Sequence, residues 1–430
     1  VRLSGPAALE VATPLIRGVA LPSLESHRLT RVKLVDPRSG LAVDEALCAV
    51  MRAPRSYTGD DTVEISCHGS PALTRMLLER LIDQGARLAE PGEFTRRAFL
   101  NGRLDLAQAE AVALLIGART ERAVALAARG LTGELSERLR ALRQGLLDAT
   151  ARLEVALDFP EEWQEAEPGE NDREIKILRS DAASLLAAAR AGHVAHAGLT
   201  VAIVGAPNAG KSSLFNALLG RDRAIVAPEA GTTRDVLEGV IAVAGVPVRL
   251  LDTAGLGTPR DRIDAEGMNR TRMAIEESDA VIAVVDGSAR PSQNDQSFME
   301  APLPRPTIVV LSKSDLGQYP DVPRPDGCVP ASVKMDGGLD SLLSRIEAEV
   351  VLRAGLNCDE SALVASVRQI ELLTALEAAI SRAAEGLARE PMEIALVDLR
   401  CALESVSALL GIEVGDAVLD TLFARFCVGK

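Results

Sequence analysis

Aromatic residues make up only 2% of this 430-residue chain, which holds seven Phe, two Tyr and one Trp. Its cores must therefore be built from Leu, Val, Ile and Ala, a composition that favours helix bundles and α/β sheets. Basic charge is also short: 47 Lys and Arg stand against 61 Asp and Glu, giving a net charge of −14. No broad Lys/Arg block is present, which excludes a general polyanion binder. Any nucleic acid must be held by a local patch, by a partner, or by a few shape-specific contacts. The six cysteines are scattered and form no C-x-x-C pair. Zinc and thioredoxin-like chemistry thus have no support, and free thiols in a reducing cytoplasm are expected. No apolar run approaches the roughly 18–20 residues of a membrane span, and no signal-peptide pattern is visible. A cytoplasmic protein with no membrane segment is expected. The chain opens at Val1 rather than Met.

What is present is ample apolar material, 47% of residues, and a length that suits two or three domains. Residues 1–95 read as mixed α/β. Strand-like runs cover 31–35, 46–51 and 62–66, with a turn cluster at Tyr57-Thr58-Gly59-Asp60-Asp61 and a helix from Pro71 to Gln84. From Phe94 the apolar period changes to that of a helix. Leu135, Leu139, Leu142, Leu146 and Leu153 form one stripe of a long helix ending near Asp158-Phe159-Pro160. An acidic connector and a further helix over 172–195 follow. Strands expected at 200–204, 248–251, 280–285, 307–311 and 328–331 alternate with helices, the pattern of a doubly wound, largely parallel sheet. Beyond Leu363 the pattern is helical again, with stripes Leu372, Leu376, Ala379, Ala383 and Leu396, Leu399, Leu403, Val406, Leu410. The economical arrangement is one helical domain (96–197 and 353–430) interrupted by an inserted α/β domain (198–352) whose ends lie close together.

The inserted segment carries its chemistry in order. Gly205-Ala206-Pro207-Asn208-Ala209-Gly210-Lys211-Ser212-Ser213 is a G-x-x-x-x-G-K-S phosphate loop between an apolar strand and a helix. Its backbone N–H groups and helix N-terminus suit phosphate oxygens, Lys211 can reach the β- and γ-phosphates, and the Ser212 hydroxyl can ligate Mg²⁺. Gly231-Thr232-Thr233 can bring a hydroxyl to Mg²⁺ and an N–H to the γ-phosphate. Asp252-Thr253-Ala254-Gly255 ends a strand, with the Asp suited to Mg²⁺ through water and the Gly N–H to the γ-phosphate. The three together indicate a switch GTPase. Base recognition falls to Ser312-Lys313-Ser314-Asp315 and Ser332-Val333-Lys334. Asp315 can accept from N1 and N2 of guanine, while Lys313 can lie over base and ribose. Ser312 replaces the Asn usual in GTPases, so a less firmly held loop is expected.

On these residues the chain resembles the MnmE (TrmE) family of tRNA-modification GTPases. The resemblance covers essentially the whole chain. It also rests on Pro91-Gly92-Glu93-Phe94, Arg97-Ala98-Phe99-Leu100-Asn101, Leu104-Asp105-Leu106-Ala107-Gln108-Ala109-Glu110 and the terminal Phe426-Cys427-Val428-Gly429-Lys430. It implies an N-terminal α+β tetrahydrofolate-binding and dimerisation domain (1–95), a split helical domain and an inserted P-loop G domain. It implies a homodimer joined to the FAD protein MnmG as a heterotetramer, modifying C5 of the wobble uridine of tRNA with a carboxymethylaminomethyl or aminomethyl group. GTP, Mg²⁺, K⁺ and a one-carbon folate such as 5-formyltetrahydrofolate are the implied cofactors. By matching, Asn208, Ala227, Glu229 and Thr232 would hold K⁺, Ser212 and Thr233 would hold Mg²⁺, and Pro228 and Ala230 would complete the nucleotide loop. Arg2, Glu64, Arg103 and Lys430 would bind folate. Cys427 could lie near the one-carbon unit, but a buried structural thiol is the reading expected of it. Asp264, with Thr233, would serve catalysis. Asp264 stands where the family usually has Glu, Gly257 where it has Arg, and Arg103 where Lys is common. The family's first strand precedes Arg2 and is not part of this sequence. A degenerate guanine-nucleotide scaffold with little turnover is the alternative that Asp264, Gly257 and Ser312 raise. An Era-like ribosome-assembly GTPase is a further one, opposed by the acidic charge.

Overall fold

The computed structural model describes residues 1–159, 169–220, 237–253, 271–292, 295–296, 304–320, 322, 327–354, 362–387, 391–412, 414–427 and 429. Two compact units are formed. The first comprises Val1–Ala113, Leu131–Ile175 and Ala379–Lys430, the second Leu114–Gly130 and Lys176–Ala378. The second unit takes in more chain than the 198–352 segment.

In the first unit a five-stranded antiparallel sheet has the order β1-β5-β4-β3-β2, from β1 (Arg2–Ser4), β2 (Ile16–Arg17), β3 (Thr30–Val35), β4 (Ala42–Met51) and β5 (Thr62–Ser66). Alternation fixes its faces. Val32 and Leu34 of β3 are buried while Arg31 and Lys33 are exposed, so one face is core and the other meets water. On the apolar face lie α1 (Ala8–Ala12) and α2 (Pro71–Asp83), and Leu77 and Leu81 of α2 join Leu34, Val63 and Ile65 in one cluster. Ser70 caps α2 by accepting from the Leu73 N–H at 3.4 Å, and Pro71 occupies its first turn.

Further helices of this unit include α3 (Glu93–Leu100), the start of α4 (Leu106–Gly117), α6 (Glu134–Asp158), α11 (Met392–Leu410) and α12 (Asp416–Phe423). The leucine stripe of α6 is buried throughout, and α6 packs along α11, on which Leu399, Ala402 and Val406 are buried. Arg143 Nε donates to Ser407 Oγ at 3.2 Å and Arg400 pairs with Glu154 at 2.7 Å along that seam. In α10 (Val367–Gly386) the buried register is Leu373, Leu376, Ile380 and Ala383. Leu372, expected in the stripe, is only half-buried. Two adjacent leucines satisfy the same period equally well, and packing selected the second.

The second unit holds a six-stranded sheet of order β11-β10-β9-β6-β8-β7. Its strands are β6 (Leu199–Gly205), β7 (Leu237–Val243), β8 (Val246–Asp252), β9 (Ala280–Asp286), β10 (Thr307–Ser312) and β11 (Val329–Pro330). All pairs are parallel except β7 with β8, so the sheet is largely parallel with one antiparallel edge. Central strands are apolar on both faces, as helix-covered parallel strands must be. Flanking helices include α5 (Glu121–Leu131), α8 (Lys211–Leu219) and α9 (Asp340–Ala354). The chain reaches β6 along α7 (Glu170–Ala197) and leaves through 362–365, and these two segments touch. Leu363 N donates to Ala188 O at 3.1 Å, and a Cβ at Gly192 would sit 2.0 Å from Leu363 O. No helix among the described residues is long and apolar enough to cross a membrane.

Candidate functional site

The phosphate loop leaves β6 at the sheet's centre, where the strand order reverses and β6 lies between β9 and β8. Such a switch point opens a crevice at the carboxyl ends of parallel strands. Gly205 has φ +153°, and a Cβ there would meet Val284 O at 2.2 Å, so only glycine lets the loop pass β9 this closely. Asn208 takes a left-handed conformation at φ 64° and is exposed. Gly210, also left-handed, precedes α8, which starts at Lys211. Ser212 and Ser213 are exposed on the first turn of that helix.

Lys211 is 8% exposed, and its Nζ donates to Ala206 O at 2.9 Å, across the loop. Burial pushes its ammonium below the ordinary lysine value, opposed by the carboxylates of Asp252 and Asp295. Asp252, the last residue of β8, is buried, and its Oδ1 has no hydrogen-bond partner among the described residues. A buried carboxylate oxygen left unpaired is costly unless a cation or donor reaches it. Thr253 next to it anchors the strand end, its Oγ1 donating to Ile203 O at 2.8 Å. Asp295 was not singled out from the sequence. It accepts from Ser292 N and Oγ at 2.9 and 2.7 Å through Oδ2, while its buried Oδ1 is unpartnered among the described residues. The S-x-x-D spacing signals a cap, but nothing in it signals a place beside the lysine.

On the base side, Ser312 ends β10 with its hydroxyl 2.6 Å from Ala209 O and 3.1 Å from Val285 O. Ser312 thus ties the end of β10 to the phosphate loop through its hydroxyl. β10 and the phosphate loop run close enough that a hydroxyl spans the gap, a Cβ at Gly210 falling 3.7 Å from Ser312 Oγ. Lys313 is left-handed at φ 58°, and its ammonium lies 2.5 Å from Asp286 Oδ2. Burial acts to raise the Asp286 carboxyl, but hydrogen bonds from Lys313 and Ser288 outweigh it and hold the group below the usual range. Asp286 also escaped the sequence reading; parallel pairing of Asp286 with Ser312 places it there. Asp315 Oδ1 accepts from the Ser332 hydroxyl at 2.7 Å, and Ser332 Oγ accepts from Lys334 N at 3.2 Å. Ser314, Val333 and Lys334 are exposed around them. The structure thus brings together Asn208, Ala209, Gly210, Lys211, Ser212, Ser213, Asp252, Thr253 and the 312–315 and 332–334 loops. Ala227, Pro228, Glu229, Ala230, Gly231, Thr232, Thr233, Ala254, Gly255, Gly257 and Asp264 lie outside the described residues.

The first unit holds a cavity of about 920 Å³ between β1, β5, the α2 helix and the start of α3. Arg2 and Glu64 face each other across the β1–β5 ladder, 2.6 Å apart, and both line it. The Arg2 guanidinium also stacks 5.7 Å from the Tyr57 ring and 5.5 Å from that of Phe94. Gly429 reaches the cavity, and Lys430 lies outside the described residues. Arg103 is not among the lining residues. The turn after α3 carries it over Gly59, whose Cβ position is 3.4 Å from Arg103 Cγ. Cys427 is exposed, not buried; Phe423 and Phe426, their ring centroids 5.2 Å apart and their planes tilted by 45°, supply the tail's packing instead. They close on Gly92, where a Cβ would meet Phe423 O at 2.8 Å.

Glu93 is the hub of the cavity wall. It accepts from Arg87 at 2.8 and 2.5 Å, from Arg97 at 2.9 and 3.2 Å, and from Glu90 N at 2.9 Å. Burial alone would raise its carboxyl, but these donors prevail and bring it down to about 2. Arg97 also donates to Ser4 O at 3.3 Å. The sequence drew attention to this segment without assigning Glu93 or Arg97 a part.

Two family models together cover nearly the whole chain. The family model of the MnmE helical domain matches residues 106–427, and that of the GTP-binding protein TrmE N-terminus matches 1–103. The tRNA modification GTPase MnmE of Carboxydothermus hydrogenoformans is 39% identical, covering 100% of this chain and 96% of that protein. The chain belongs to the MnmE family of tRNA modification GTPases. Another MnmE relative, from Lacticaseibacillus paracasei, is 38% identical over 100% of this chain and 95% of its own length. Among solved structures, a Tyr-to-Ala variant of Aquifex aeolicus Era bound to GDP·AlF₄⁻ is 28% identical over 42% of this chain and 66% of that one, with a TM-score of 0.29.

Proposed function

We propose that this chain is a K⁺-stimulated GTPase that acts with the FAD protein MnmG on C5 of the wobble uridine of tRNA, drawing on a one-carbon folate. The observation that carries the nucleotide half is the buried Lys211 beside the unpartnered Oδ1 of Asp252, at the mouth of a glycine-lined loop. A polyphosphate and its cation would satisfy both groups. Ser212 and Thr233 would ligate Mg²⁺, with Asp252 reaching it through water, and bound Mg²⁺ would neutralise phosphate charge. Hydroxyls and phosphate oxygens suit Mg²⁺, and no cluster of three or more His, Cys, Asp or Glu exists among the described residues to hold a metal otherwise. Asn208, Ala227, Glu229 and Thr232 would hold K⁺, placing positive charge where a GTPase otherwise uses an arginine. Asp264 would orient the attacking water. Asp315, oriented by Ser332, would read the guanine N1 and N2 donors.

The 920 Å³ cavity suits a folate. Glu64, with Arg2 held beside it, would face pterin donors, and Arg97 and Lys430 would favour an anionic tail. The chain would be organised as 1–95 for folate and homodimer contact, 96–197 with 353–430 as helical domain, and 198–352 as G domain. The alternative, a guanine-nucleotide scaffold with little turnover, rests on Asp264, Gly257 and Ser312. Nucleoside analysis of tRNA from a deletion strain tests the reading: C5-modified wobble uridines should disappear and return on complementation. Unchanged wobble uridines would refute it. GTP turnover should be faster in K⁺ than in Na⁺ and vanish in Asp264→Asn; equal turnover in both salts would remove the K⁺ role.

A further inference from the structure

A hydroxyl has one hydrogen to donate, whereas a side-chain amide has two. Around Ser312 Oγ stand two carbonyl oxygens, Ala209 O at 2.6 Å and Val285 O at 3.1 Å, and both are acceptors only. Ser312 is 8% exposed. Its single O–H is therefore committed inside the protein, to the phosphate loop first by distance. What Oγ still presents is lone pairs, and these cannot bond another acceptor. Guanine N7 is such an acceptor. An Asn at 312 could give one N–H to Ala209 O and keep the other for the base. Serine keeps only the first of these functions.

We infer that the base site of this chain does not read purine N7 from position 312, so that guanine recognition is carried by the N1/N2 edge alone on this side. Three features fit. Asp315 Oδ1 is fixed by the Ser332 hydroxyl at 2.7 Å, leaving Oδ2 for base donors. Ser332 is itself held by accepting from Lys334 N at 3.2 Å. Lys313, the neighbouring cation, is tethered to Asp286 at 2.5 Å. The edge reader is thus pre-oriented, while position 312 serves as a strut between base strand and phosphate loop. This inference rests on the guanine-nucleotide reading above.

The test uses the full chain and titration calorimetry with Mg·GDP and Mg·7-deaza-GDP, in which a C–H replaces N7 and the N1/N2 edge is unchanged. Wild type should bind the two within about twofold of each other. Ser312→Asn should gain a preference for GDP of about tenfold, the order of one added hydrogen bond. Ser312→Ala should weaken both ligands equally, since it removes the strut and no base contact. A tenfold preference for GDP in wild type would overturn the inference without any variant. So would an Asn variant that binds both ligands equally. Failure of wild type to bind GDP at all would instead sink the guanine-nucleotide reading, a distinct result.

Discussion

Replacing Glu93 with glutamine keeps the shape of the cavity wall and removes the carboxylate that bridges Arg87 and Arg97. The carboxyl sits at about 2 in the folded protein against an ordinary 4.5. Because the folded value is depressed, the stabilisation is complete above pH 4.5 and is lost as pH falls from there toward 2. Converting that gap to free energy gives about 3 kcal/mol as an upper bound. Arg87 is 64% exposed while Glu93 is 12% exposed. Solvent screening of the arginine lowers the expected loss to about 1–2 kcal/mol. In Glu93→Gln the new side-chain carbonyl would still accept from Glu90 N, so α3 should keep its start. The assay is hydrogen exchange by mass spectrometry on peptides spanning 93–104. At pH 7 the variant should exchange about 5–30-fold faster. Near pH 3, with each protein compared at the same pH, the difference should shrink. Equal protection at pH 7, or a difference that stays constant as pH falls, would refute the charge-hub account.

Other residues give independent checks. Asp286→Asn should weaken GDP binding several-fold by calorimetry, because Lys313 loses its tether; unchanged affinity would show that the ion pair is ornamental. Gly192→Ala would place a Cβ 2.0 Å from Leu363 O, and backbone must move to admit it. A loss of at least about 2 kcal/mol is expected, read as faster hydrogen exchange in peptides spanning 362–370; wild-type protection there would contradict the close approach. Leu146→Ala empties a fully buried site on α6 and should cost about 2–5 kcal/mol in denaturant unfolding of the first unit.

Whatever depends on near neighbours is legible in the chain order alone. Leu135 to Leu153 disclose α6 because residues three and four apart share a helix face. Gly205–Ser213 discloses a phosphate loop because strand, glycines, lysine and helix are contiguous. Leu372 against Leu373 shows the limit, since periodicity locates a face only to within one residue. Contacts that join distant segments are settled only in the folded chain. Ser312 meets Ala209 because β10 ends beside the phosphate loop, 103 residues away in sequence. Asp286 meets Lys313 because parallel register sets Asp286 opposite Ser312. Arg2 meets Glu64 because β1 runs antiparallel to β5, while Arg103, equally charged, is turned toward Gly59. Glu93 becomes a hub only when Arg87 and Arg97 converge on it. Local spacing fixes which side chains share a face of one element. Register, crossover and loop direction fix which elements those faces meet, and a site assembled from several elements is set at that second level.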